Sequence, residues 1–106
     1  MIRIRRGNKS RISAGGVTTL VNDATPSISA GNLFITGGTT TITDFDDGIV
    51  GQTIEILSAH SVTVADGSAV DLAGGADYVM TATDTLILTM FNDQVWVEVG
   101  RSVNGG

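Results

Sequence analysis

One residue in three is β-branched: 14 Thr, 11 Val and 10 Ile among 106 positions. Two heavy atoms on Cβ stiffen χ1, which suits a pleated strand and penalises a helix. Strong helix formers are scarce, with one Lys, two Glu and two Gln. The 14 glycines fall mostly between short apolar runs, the punctuation expected of many short strands. The chain is therefore expected to be all-β, with no helix.

The runs can be placed in order. Ile2–Arg6 reads as a basic strand or extended arm, and Val17–Val21, Asn32–Thr36 and Thr40–Thr43 as strands, the last anchored by Ile42. Gln52–Leu57 alternates, with Ile54 and Ile56 on one face and Thr53 and Glu55 on the other. Val62 and Val64 share a face, as do Val70 and Leu72, and Tyr78–Thr81 is a weaker candidate. Asp84–Phe91 and Gln94–Val99 form the longest pair, joined as a hairpin through Asn92-Asp93, residue types that tolerate positive φ. Leu86, Leu88 and Met90 share one face of the first arm. Val95, Val97 and Val99 share one face of the second, Trp96 and Glu98 the other; the aliphatic faces are expected to coincide and pack inward. Glycines at 37, 48, 67, 74 and 75 space the turns closely, which suits a sandwich, a barrel or a wound β structure.

A chain of this length is one domain on size alone. Its aromatics are few (Phe34, Phe45, Tyr78, Phe91, Trp96), so a monomer core is modest. Without cysteine there is no disulfide, and oligomerisation is the usual supplement. The lack of thiols also removes thiol catalysis and thiolate metal sites. No segment is apolar and long enough to span a bilayer, and no apolar run follows the basic start, so a soluble chain without a cleaved signal and without a membrane partner is expected. Arg3, Arg5, Arg6, Lys9 and Arg11 are five of the six basic residues, while all eleven acids follow from Asp23 onward. A +5 arm thus precedes a body of −10, eleven acids against Arg101. The body repels nucleic acid, whose binding rests on phosphate neutralisation; the arm suits an acidic protein surface.

Candidate chemistry is thin. His60, the single histidine, lies in Ser58-Ala59-His60-Ser61, and no nucleophile-elbow sequence accompanies it. Asp44-Phe45-Asp46-Asp47-Gly48 is the densest acidic cluster. A solvated turn is the favoured reading and a weak cation site the alternative, since its glycine is one position too early for a helix-loop-helix calcium loop. Acid pairs alone do not make a glycosidase, and no aromatic-rich stretch offers a sugar platform. No catalytic residue, cofactor or metal ligand is assigned. The basic arm reads either as a solvated terminus or as an anchor whose interleaved isoleucines, Ile2, Ile4 and Ile12, give it one apolar edge.

Four stretches carry a resemblance: Thr25-Pro26-Ser27-Ile28; Thr39-Thr40-Thr41-Ile42-Thr43-Asp44-Phe45; Gly51-Gln52-Thr53-Ile54-Glu55-Ile56; and Trp96-Val97-Glu98-Val99-Gly100-Arg101-Ser102. Together they make Thr25–Ser102, about three quarters of the chain, similar to a β-rich module of bacteriophage structural proteins. That module forms carboxy-terminal parts of tailspikes and tail fibres, and related folds occur in head decoration proteins. The resemblance implies an intertwined or closely packed homotrimer with strands in a sandwich, tripod or wound arrangement, and no active site of its own. Ile54, Ile56, Leu86, Leu88 and Trp96 are then expected to pack the trimer. In tailspikes a large upstream domain precedes the module; here only Met1 and a short basic segment do, which favours a small standalone capsid decoration (cement or knob) protein on the outer capsid surface of the virion. Residues 1–24 would be the capsid-facing arm and first strand, 25–103 the trimeric module and 104–106 a flexible tail. Ile2, Arg3, Ile4, Arg5, Arg6, Lys9, Arg11 and Ile12 would dock on the major capsid protein. A tail-associated trimerisation or host-attachment module is the alternative, and a host-surface glycan is a further candidate partner.

Overall fold

The computed structural model describes residues 16–105. The strand expected at 2–6 and all eight docking residues, Ile2, Arg3, Ile4, Arg5, Arg6, Lys9, Arg11 and Ile12, lie outside them.

Among the described residues the fold is mostly β, without an α-helix. The strands are β1 (Thr18–Thr19), β2 (Leu33–Ile35), β3 (Thr53–Leu57), β4 (Val62–Val64), β5 (Val70–Asp71), β6 (Tyr78–Met80), β7 (Thr85–Asn92) and β8 (Val95–Ser102). One 3₁₀ turn, Ala73–Gly75, interrupts them. Six strands form a sheet in the order β1-β2-β3-β7-β8-β5, and β4 pairs with β6 in a second, antiparallel sheet. Thr40–Thr43, expected as a strand, contributes only a bridge from Ile42 to Val64; its flanking threonines are exposed and its one apolar side chain does the anchoring.

The register tells how the chain winds. β1, β2 and β3 run parallel, with Thr18 beside Phe34 and Phe34 beside Ile56, so the chain returns to the same wall after 16 and then 22 residues. On the other sides the same circuits bring Ser27 beside Asp46 and Ile42 beside Val64, again parallel. Parallel neighbours need a long crossover, usually a helix; here the crossover is the rest of each coil. Of the arrangements left open by the sequence, this is the wound one. The antiparallel β7–β8 hairpin continues the wall from β3 and ends the winding.

The coils sit close. A Cβ on Gly37 would collide with the Leu20 backbone carbonyl of the coil beside it, and one on Gly38 with the Asn22 side chain. Inside lie Ile28, Phe34, Ile54, Ile56, Leu86, Leu88 and Met90, all buried, so the pairings Ile54/Ile56, Val62/Val64 and Val70/Leu72 hold as expected from alternation. Trp96 fills the far end. It is fully buried, its Nε1 donates to the Phe45 carbonyl at 3.1 Å, and the Phe45 ring meets it edge-on at 6.4 Å. Buried Gly48 lies against the indole where a side chain would strike Trp96 and Met90.

Three expectations are corrected. The hairpin turn is Asp93-Gln94, because Asn92 already pairs with Val95; Gln94 takes the positive φ of 62° and donates to the Gly48 carbonyl at 3.2 Å. The valines of β8 do not face inward. Met90 pairs with Trp96 and Leu88 with Glu98, so the indole takes the interior and Val95, Val97 and Val99 point away from it. The core offers a slot over Gly48 that a ring fills and a valine would leave empty. Finally, Asn104 and Gly105 are not free: their backbone N–H groups donate to Asp84 Oδ1 at 2.8 and 2.7 Å, and Asn104 Nδ2 donates to the Thr83 carbonyl.

Candidate functional site

Among the described residues three polar side chains are buried: Thr36, Ser58 and Asp84. They gather where the coils continue past β1–β3. The Thr36 N–H donates to the Leu57 carbonyl, and the Ser58 N–H to that of Asp84. With His60 beside them the residue types of a Ser-His-Asp set are close, yet each is turned elsewhere. The Ser58 hydroxyl donates to the His60 backbone carbonyl. His60 Nδ1 meets Thr36 Oγ1 at 3.0 Å, and that oxygen also accepts from the Ala59 N–H. The Asp84 carboxylate accepts from the backbone of Thr81, Asn104 and Gly105 and from the Thr81 hydroxyl. The Thr81 and Gly105 amides hold its pKa below the ordinary value of 3.8 against the opposing effect of burial. In a triad the carboxylate orients the histidine and the histidine faces the hydroxyl; here all three fasten loops.

The acidic cluster is a turn. Phe45 is its buried anchor. Asp44 Oδ1 accepts from the Phe45 N–H at 2.7 Å, and Asp47, at φ +70°, accepts from the Ser27 hydroxyl. Burial raises the Asp44 pKa, opposed by the Phe45 hydrogen bond and reinforced by Asp46. Among the described residues no group of three or more His, Cys, Asp or Glu converges as a metal site. Beside the turn, an open groove of about 600 Å³ is lined by Ser29, Asn32, Asp47, Ile49, Val50 and Gln52. Its amides are already engaged: Asn32 donates to Thr53, and Gln52 to Ile28 and Gly31 carbonyls.

Inside the hairpin, Glu98 and Arg101 form a two-pronged ion pair at 2.7 and 2.8 Å, and the guanidinium lies 3.7 Å over the Tyr78 ring. Glu98 also accepts from the Ala73 N–H, tying the 3₁₀ turn to β8. The Arg101 hydrogen bond lowers the Glu98 pKa, while burial raises that of Tyr78. These contacts satisfy a carboxylate that the inward turn of Trp96 draws in with it.

The five residues expected at a trimer contact, Ile54, Ile56, Leu86, Leu88 and Trp96, are each fully buried within the single chain. They are its own core and present no surface to a second copy. The surface lies on the opposite side of the same sheet. Val17, Leu33, Leu57, Phe91 and Val99 are 57, 45, 37, 59 and 52 % exposed there, with Ile35, Ile87, Val95 and Val97 half-buried among them. An antiparallel or mixed sheet with one wet face ordinarily alternates apolar-in and polar-out; here the wet face carries these apolar side chains among Thr19, Thr53, Glu55, Thr85 and Thr89. The strand alternation was visible in the sequence, but the inward turn of Trp96, which decides that the valines face out, had no local signal.

No protein-family model, curated protein or solved structure matches the chain.

Proposed function

We propose that this chain is a structural virion protein, a bacteriophage capsid decoration (cement or knob) protein that binds the outer capsid surface as a homotrimer and stabilises it. The observation that carries the assembly reading is the outer sheet face, whose exposed valine, leucine and phenylalanine side chains exceed the scattered single apolar residues normal on a monomer. The phage assignment rests on the four resembling stretches, and their packing is consistent with one module. Ser27 bridges Asp46, Gln52 donates to the Ile28 carbonyl, and Phe45 abuts Trp96. The charge pattern supports docking by the arm: five cations at 3–11 ahead of an acidic body. Three arms on one closed trimer raise the effective concentration of each contact once the first has formed.

The test is the copy number of the chain in purified virions, by quantitative mass spectrometry against the major capsid protein. Hundreds of copies in a simple ratio are expected. A few copies per particle would move the chain to the tail, as an adaptor or attachment module. Deleting residues 1–12 should leave the body folded and abolish binding to undecorated capsids; a truncated protein that still decorates them overturns the role of the arm.

A further inference from the structure

The outer sheet face has a knob and a hole. The registers place Val17, Leu33, Glu55 and Ile87 in one row across it and Thr19, Ile35, Leu57 and Thr85 in the next. Between these rows lies a groove of about 250 Å³, lined by Val17, Leu33, Ile35, Leu57, Glu55 and Thr85. Near the hairpin turn stands Phe91, which follows inward-facing Met90, is unpaired in the bulge between Met90 and Asn92, and at 59 % is the only exposed aromatic among the described residues. We infer that this face is the contact between copies of the chain, with Phe91 of one copy seated in the groove of the next; this rests on the homotrimer reading above and specifies its interface.

Charge selects a second copy as the occupant. The body carries ten net negative charges, and its carboxylates stand mostly in loops and turns. The registers put only Glu55 and the edge residue Asp71 on the outer face. This is the surface two acidic copies can bring together with little like-charge repulsion, and depletion of charge with enrichment of aromatics marks the centre of an interface. The 28 strand residues of the six-stranded sheet project onto roughly 450 Å² at ordinary strand spacing and rise. That is over half of the ~800 Å² that each partner gives to a stable interface. In the homotrimer reading Phe91 of one copy enters the groove of the next while its own groove takes Phe91 of the third, the head-to-tail pattern that closes into a ring when the rotation allows; a reciprocal pair, in which each copy seats the other's Phe91, is the two-fold form of the same contact.

The experiment is sedimentation of the full chain with Phe91→Glu, Leu57→Lys and, as a control on the other sheet, Val79→Glu, an exposed position on β6. Fluorescence of the single tryptophan and circular dichroism check folding. The wild type and Val79→Glu should assemble alike, and the two face variants should associate roughly thirtyfold more weakly or worse, as loss of a central anchor does. Because the chain has no cysteine, mixed Phe91→Cys and Leu57→Cys proteins should also cross-link faster than Phe91→Cys with Val79→Cys. An assembled wild type with unaffected face variants and indifferent cross-linking overturns this interface and leaves the homotrimer standing. A monomeric wild type at high concentration overturns both; if removing residues 1–15 then induces assembly, the arm is the occupant of the groove.

Discussion

Gly37→Ala tests the wound architecture directly. Gly37 lies where the second coil passes the first, and a Cβ there would sit well inside contact distance of the Leu20 carbonyl oxygen and close to the Asn22 amide. Both are backbone atoms, so no rotamer change relieves the clash. The coils must separate locally, at an overpacking cost of about 1–3 kcal/mol. The first bond to stretch is that from the Leu20 N–H to the Ile35 carbonyl, 2.8 Å long, and losing it costs about 1 kcal/mol more. A total near 3 kcal/mol corresponds to a fall in Tm of roughly 12–24 °C for a domain of this size. The matched control is Gly67→Ala, where a Cβ meets nothing within 4 Å and the change should stay within about 0.5 kcal/mol. Thermal melts at one fixed protein concentration, followed by circular dichroism, read both variants; the concentration matters because assembly shifts Tm. A Gly37→Ala protein melting within about 4 °C of wild type would mean that the coils are not stacked as the parallel register requires.

Two further outcomes follow from the site. Trp96→Phe leaves the Phe45 carbonyl unpaired in the core and shortens a fully buried side chain; urea unfolding should show a loss of about 2–4 kcal/mol, whereas Trp96 at an exposed contact would lose far less. Asp84 and Glu98 both have folded pKa values below their ordinary 3.8 and 4.5. Their stabilisation is therefore fully present above those values and is lost as pH falls through the lower folded ones, because the unfolded chain takes up protons first. Melts between pH 7 and pH 2.5 should fall steeply below about pH 4, and Asp84→Asn should be less stable at pH 7 with a shallower acid limb; an unchanged acid limb would show that the carboxylate does not hold the Asn104–Gly105 backbone.

Much of the wall was legible because alternation is a local property. Ile54 and Ile56, Val62 and Val64, and Leu86, Leu88 and Met90 fall on their faces from spacing alone. What was not legible is how far apart in sequence the partners lie. The offsets of 16, 22, 19 and 22 residues that stack Thr18 on Phe34, Phe34 on Ile56, Ser27 on Asp46 and Ile42 on Val64 follow no repeat of residue types. Short loops of differing length absorb the differences, and glycine appears where the coils come closest, as at Gly37. The buried polar group illustrates the same limit. Thr36, Ser58 and Asp84 are ordinary strand-end residues in the sequence and become one hydrogen-bonded cluster only after winding.

The hairpin shows why alternation alone could not choose a face. Val95-Trp96-Val97-Glu98-Val99 offers either three valines or a tryptophan and a glutamate to the interior. The valines look the better choice until the far side is considered: Gly48 leaves a slot for the indole, Phe45 supplies a ring edge and a carbonyl acceptor, and Arg101 with the Ala73 N–H satisfies Glu98. Burying the aromatic with every polar atom paired outweighs burying smaller aliphatics while the indole stays wet. The consequence is that three valines of β8 lie on the outer face, and Val97→Thr with Val99→Thr tests it. Threonine keeps the β-branched shape and strand preference. On an outer face the hydroxyls reach water, and the pair should change unfolding stability by under about 1 kcal/mol while weakening self-association. On an inner face each unpaired hydroxyl would cost about 1–3 kcal/mol, so a combined loss above about 3 kcal/mol in the dissociated protein would place the valines inside and refute the orientation of β8.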